Sequence, residues 1–214
     1  MIISPGRRFV FVHVPKTGGT SLTLALEARA MKDDILIGDT PKAQRRRKRL
    51  KGLQARGRLW KHATLADIEG VLPQETLEAM QVVTLVRNPW DRMVSYYHWL
   101  RDQTFDHPAT ALAKTLNFAD FLRHDHTQRS FSAEHFGHYV TGSDGAERPA
   151  LFIRLEHLAQ DLRPFEAHLG FSFDMPHYNS SRRPGGYRAL YDSDTRDLLG
   201  RMCARDIARF GYRF

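Results

Sequence analysis

Phe9-Val10-Phe11-Val12-His13-Val14-Pro15-Lys16-Thr17-Gly18-Gly19-Thr20-Ser21-Leu22 decides how the chain is read. Its first six residues are almost wholly apolar, β-branched or aromatic, the pattern of a strand buried on both faces in a parallel sheet. A glycine-rich turn follows. Leu22-Thr23-Leu24-Ala25-Leu26-Glu27-Ala28 then has the composition of a helix. The unit is strand, glycine turn, helix.

The same order recurs downstream. Gln81-Val82-Val83-Thr84-Leu85-Val86-Arg87 reads as a strand, Asn88-Pro89 as a turn and 90–101 as a helix. Asn88 is placed as N-cap, with Pro89 at the first helical position and Asp91 in the first turn. Leu151-Phe152-Ile153-Arg154-Leu155 is a third strand, followed by a helix over about 156–169. A last amphipathic helix runs over 193–209 and stops at Gly211. Alternating strands and helices predict an α/β fold with a central parallel sheet and right-handed crossovers. Ligands of such sheets bind beyond the carboxyl ends of the strands, where the glycine turn and Arg87 both fall. With 214 residues and no linker-like stretch, 1–214 is expected to be a single domain.

Composition narrows the class. Hydrophobic residues make up 42% and charged residues 26%, ordinary for a globular protein. No apolar run is long enough to span a membrane, and 1–8 is too short to hold a secretory core before the first strand. A single cysteine, Cys203, excludes an internal disulfide and suits a reducing compartment, so the expected location is cytoplasmic. The net charge of +8 first suggests a polyanion partner. Yet ten of the basic residues fall within 42–61, which holds no acidic one. The remainder has 22 basic against 24 acidic residues, so the basicity belongs to one segment.

The glycine turn has the inventory of a phosphate site. Gly18 and Gly19 let the backbone curl and aim several N–H groups at one point, and the following helix adds its positive end. Lys16 supplies a full charge; Thr17, Thr20 and Ser21 supply hydroxyls. The lysine precedes the glycines, unlike the nucleotide triphosphatase pattern in which it follows them. The plain alternative is a turn needed only for chain reversal, with Lys16 solvated.

Pro15-Lys16-Thr17-Gly18-Gly19-Thr20-Ser21-Leu22 resembles the 5′-phosphosulfate loop of sulfotransferases that use 3′-phosphoadenosine 5′-phosphosulfate (PAPS). Arg87-Asn88-Pro89-Trp90-Asp91-Arg92-Met93-Val94-Ser95 resembles the 3′-phosphate motif of the same family. The similarity extends through 152–158 and 210–214 and is nearest to the carbohydrate type, including heparan sulfate uronyl 2-O-sulfotransferases and bacterial relatives. It implies a P-loop-like three-layer domain and sulfuryl transfer from PAPS to a hydroxyl, leaving 3′,5′-ADP, with no metal. Lys16 would follow the departing oxygen, and Thr17, Gly18, Gly19, Thr20 and Ser21 would hold the 5′-phosphate. Arg87 offers a forked charge and Ser95 a hydroxyl to the 3′-phosphate. Both reach one phosphate only if the helix folds back across the strand end. Arg92 competes for that role but differs from Ser95 in helical phase and is expected in a structural ion pair.

Transfer to a hydroxyl needs a base. Among eleven histidines, His62 precedes the Arg87 strand much as the proposed base does in the uronyl enzymes. Imidazole accepts a proton at neutral pH. Against this, His62 could cap the helix at 65–69 or face solvent. His13 is the rival and reads as a packed core residue; Glu156 reads as an anchor of its strand–helix junction, and Glu27 ranks low as a base. His135 and His138 have ligand spacing but no third partner. In the family a loop at the position of Asn179-Ser180-Ser181-Arg182-Arg183-Pro184-Gly185-Gly186 closes over the nucleotide, which makes Arg182 and Arg183 candidates; a solvated turn is the alternative.

Thr40-Pro41 starts a helix of good formers through about Gln54, so 40–61 reads as a basic helical insertion. It is a solvated helix, a docking surface for a hydroxyl-bearing and anionic acceptor such as a carbohydrate, or a segment drawn to a membrane surface. Two other functions stay open: an atypical nucleotide-dependent kinase, disfavoured because no Mg²⁺-binding aspartate follows a strand, and a polyanion-binding module. Nucleic acid is not the expected partner.

Overall fold

The computed structural model describes residues 1–172 and 186–214. In chain order the elements are β1 (Ile2–Ser4), β2 (Phe9–Val12), α1 (Gly19–Ala28), β3 (Ile35–Leu36), α2 (Pro41–Arg46), α3 (Leu65–Ile68) and α4 (Gln74–Glu78). Then come β4 (Gln81–Val86), α5 (Pro89–Arg101), α6 (Pro108–Thr115), α7 (Phe118–Arg123), α8 (Asp125–Ala133), α9 (Phe136–Tyr139) and β5 (Ala150–Arg154). The chain closes with α10 (Leu158–Asp161), α11 (Arg163–Leu169), α12 (Ser193–Met202) and α13 (Ala204–Phe210). They form two compact units, Met1–Val86 with Phe136–Asn179, and Arg87–His135 with Ser180–Phe214.

The first unit carries a five-stranded sheet in the order β3-β1-β2-β4-β5. As the apolar runs predict, β2, β4 and β5 are parallel, with Phe11 beside Val83 and Thr84 beside Phe152. One strand at the side of this parallel core is antiparallel. β1 runs antiparallel to both β2 and β3, so it alone points the other way. A four-residue Pro5-Gly6-Arg7-Arg8 turn, closed by Arg8 N donating to Pro5 O, makes β1 and β2 a hairpin. A turn that short permits only antiparallel pairing.

Strand periodicity sorts the two faces of the sheet. Phe9, Phe11, Val83, Leu85 and Ile153 share one core with Leu22 and Leu26 of α1 and Phe165 of α11. Phe9 and Phe165 meet edge to face at 5.2 Å. Each such side chain contributes roughly 1.5–3 kcal/mol through burial. On the other face Val10 and Val82, with Leu65 and Ile68 of α3, line a cavity of about 890 Å³ near the amino ends of the strands.

The second unit is helical. Trp90, Met93, Val94, Tyr97 and Leu100 form the apolar stripe of α5 and are packed with Phe118, Phe121, Leu122 and Leu199. α5 starts as its sequence dictates: Asn88 Oδ1 accepts from Trp90 N at 3.1 Å, and Pro89 sits in the first turn.

Three local expectations change. The helix expected after β5 is split into a short 3-10 turn, α10 and α11, and Asp161 grips the end of β5. It accepts from Arg154 Nε at 2.7 Å and from Arg154 N at 3.1 Å, while Glu156 is exposed. The C-terminal helix breaks at Cys203 into α12 and α13, and Gly211 stops it in the left-handed conformation with φ 67°. The basic helix begins at the Thr40 N-cap but holds α-geometry only to Arg46, tightening to 3-10 over Arg47–Leu50. Arg45 with Arg49 and Arg47 with Lys51 are like charges four residues apart, which opposes a longer helix.

Candidate active site

β2 ends at Val12, and the chain leaves its carboxyl end through His13, Val14 and Pro15 into the glycine turn. Lys16 is one of two non-glycine residues among those described with a positive φ, at 65°. That costs about 1–2 kcal/mol, and such strain gathers at sites that need a fixed backbone. Gly18 also lies in the left-handed region, at φ 85°, and serves as N-cap of α1 without any side-chain cap bond. Left-handed residues on both sides of Thr17 curl the backbone in the way that gathers N–H groups about an anion. No acidic residue occupies the first turn of α1, so its positive end is not neutralised from within the helix.

The hydroxyls divide by role. Thr17 is wholly buried, and its Oγ1 donates to Val14 O at 2.9 Å; that side chain closes the turn, leaving its backbone for the anion. Ser21 is buried and Thr20 is exposed.

The two glycines are required for different reasons. Gly18 supplies the left-handed φ. Gly19 supplies space: a Cβ there would lie 2.2 Å from His13 Cδ2. His13 is buried, as the sequence suggests, stacks on Phe11 and meets His62 edge to face at 4.7 Å. Burial first, then the neighbouring His62 imidazole, the amino terminus, Lys61 and Lys16, each of which disfavours a second positive charge beside it, pushes its pKa well below the usual imidazole range.

His62 Nδ1 lies 2.7 Å from His13 O. A carbonyl can only accept, so the proton of a neutral imidazole sits on Nδ1 and the Nε2 lone pair is left as acceptor. Burial lowers the His62 pKa to about 4; the bond to His13 O opposes this, and Lys61 adds to it. Trp60 meets the His62 ring edge to face at 5.1 Å. The helix cap proposed as an alternative role for His62 belongs to Thr64, which forms a capping box with Asp67.

Beside these groups is a cavity of about 230 Å³, walled by His13, Thr20 and Thr23 and by the two stems of the basic segment, Thr40 and Lys61. Lys61 pairs with Asp39 at 2.7 Å. Glu27 is buried and accepts from Thr40 Oγ1 at 2.7 Å, and Lys42 Nζ donates to its carbonyl. Glu27 thereby ties α1 to the start of α2. Trp60 and Lys61 were not singled out by sequence reasoning; their position next to His62 was the available signal.

In the second unit Arg87 donates to Asp91 Oδ2 through Nε at 2.9 Å and Nη2 at 2.6 Å. Asp91 and Ser95 are four residues apart on α5 and so share a face. The guanidinium is therefore folded back along the helix to within about one turn of Ser95. Arg92 is buried with its guanidinium over the Phe131 ring at 4.7 Å. Arg182 and Arg183 lie outside the described residues. No group of three or more potential metal ligands occurs among the described residues, and no helix among them is long and apolar enough to cross a membrane.

Residues 1–213 match the family model described as "Sulfotransferase family". No curated protein matches the chain. Among solved structures, mouse sulfotransferase SULT7A1 complexed with PAP is similar at 15% identity and TM-score 0.49, covering 96% of this chain and 86% of that one. That likeness is too loose to carry an argument.

Proposed function

Since the chain belongs to the sulfotransferase family, we propose that it takes the sulfuryl group from PAPS and delivers it to an acceptor hydroxyl on a carbohydrate. The observation that carries this reading is the first-unit loop. Lys16 and Gly18 curl it about a point faced by the unneutralised end of α1. A multiply charged phosphosulfate suits that cradle.

PAPS, when bound, supplies an activated sulfuryl group on a phosphate leaving group. The chain's own part is positioning and electrostatics. Backbone N–H groups from Thr17 to Thr20 would hold the 5′-phosphate, with the Ser21 hydroxyl beside them, since Ser21 N donates to Gly18 O; Lys16 would set its ammonium against the oxygen on which charge develops. Arg87 and Ser95 are assigned the 3′-phosphate, with Asp91 orienting the guanidinium. His62 Nε2 takes the acceptor proton, because Nδ1 is committed to His13 O. The cavity beside His13 and Lys61 is the proposed seat of the hydroxyl.

The test is a thermal-shift and titration comparison of 3′,5′-ADP with ATP, followed by transfer of labelled sulfate from PAPS to a glycan array. Tighter binding of 3′,5′-ADP and labelling of a glycan are expected. Stabilisation by ATP without preference for 3′,5′-ADP would sink the donor assignment.

A further inference from the structure

The ten cations of 42–61 are not used uniformly. Lys42 and Arg46 are turned inward onto the carbonyls of Glu27 and Met31, and Lys61 pairs with Asp39. Arg45, Arg47, Lys48, Arg49, Lys51, Arg56 and Arg58 are exposed. No acidic residue lies between Asp39 and Asp67; Asp39 pairs with Lys61, Asp67 closes the Thr64 cap, and the next carboxylates outward in sequence are Asp34 and Glu69.

One exposed apolar side chain of this unit adjoins the cations of 45–51. Among the described residues, Met31 and Trp60 are its two exposed large hydrophobics, at 39% and 41%. Met31 borders the cations of 45–51: Arg46 Nη1 donates to Met31 O at 2.7 Å and Arg49 donates to Lys32 O at 2.5 Å, whereas Trp60 lies apart from them, beside Arg58 and His62. A soluble polyanion would use only the charges. An anionic bilayer uses both, since an apolar side chain settles below the headgroups while Lys and Arg meet the phosphates.

We propose that the exposed cationic face of 45–51, with Met31 at its edge, docks the protein peripherally on an anionic lipid bilayer. The stems of that segment wall the cavity beside His13. The attraction is electrostatic at range and weakens with salt.

The full chain is to be cosedimented with vesicles of phosphatidylcholine alone and of phosphatidylcholine mixed with phosphatidylglycerol. Binding to the mixed vesicles only, reduced by salt, is expected. The variant Arg47→Gln/Lys48→Gln/Lys51→Gln should bind about 100-fold more weakly, and Met31→Ser several-fold more weakly. Absence of binding to mixed vesicles, or undiminished binding by the triple variant, overturns the proposal. So does binding of soluble heparin with no binding to vesicles, which would assign the face to a dissolved polyanion. Should the triple variant have a lowered melting temperature, Lys48→Gln alone and the salt titration of the unaltered protein decide in its place. Vesicle binding is read without PAPS, so failure of the donor assignment leaves this result intact.

Discussion

The imidazole of His62 is joined through Nδ1 to the carbonyl oxygen of His13 at 2.7 Å, across 49 residues of chain. The bond gives His62 one tautomer, and it makes the backbone leaving β2 part of the proposed catalytic apparatus. His62→Ala should lower transfer by about 10²–10⁴-fold, the usual contribution of a general base, while 3′,5′-ADP affinity stays within two-fold. Single-turnover rates and a nucleotide titration on the same preparation check this. Wild-type turnover would remove His62 from the mechanism.

Gly19→Ala forces a methyl group into the His13 ring. Neither the helix backbone nor a fully buried ring yields freely, so a loss of about 1–3 kcal/mol in stability is expected. Combining it with His13→Ala should recover much of that loss, because the obstructing ring is gone. Denaturant melts of the two single variants and the double variant test the coupling. Additive losses would place the constraint elsewhere.

Asp91 holds two donors of Arg87. Arg87→Ala should weaken 3′,5′-ADP binding by roughly 10–100-fold, on the scale of a lost charge-assisted contact. Asp91→Asn, which keeps shape but not charge, should weaken it only several-fold. Calorimetric titration reads both. Equal effects would mean that Asp91 contacts the nucleotide itself or that the ion pair is needed for folding; circular dichroism separates these.

Acid should destabilise the protein through its buried imidazoles. The His62 pKa falls from 6.5 to about 4 in the folded chain, and that of His13 falls as well, both chiefly through burial. Between those pH values the unfolded chain binds protons that the folded chain refuses, so stability rises with pH there and declines as pH drops from about 6.5 toward 4. Melting temperatures across that window check the sign, and His62→Phe should flatten the slope. An unchanged slope would assign the acid sensitivity to other groups.

Much of the fold was legible because its signals are local. The apolar runs at 9–14 and 81–86 could only be central strands, and Asn88-Pro89 could only begin a helix. The β1 strand escaped because Ile2-Ile3-Ser4 is too short to show a period, and its pairing depends on a hairpin partner. Propensity alone predicts a longer basic helix, because it favours Lys and Arg, whereas like charges on neighbouring turns end the α-geometry at Arg46. The break at Cys203 has no marker of the kind that Gly211 provides.

The candidate site divides along the same line. The sequence by itself determined the chemical inventory: a lysine before a glycine pair, an arginine after a strand, a histidine before it. These are properties of residue type and order along the chain. Only the tertiary structure decided that Gly19 makes room for a ring rather than for a turn, and that Thr17 closes the loop with its hydroxyl. It also decided that His13 presents its carbonyl to His62 and that Arg87 lies along its own helix on Asp91. Each of these is a contact whose energy depends on distance and burial, quantities that linear order does not contain.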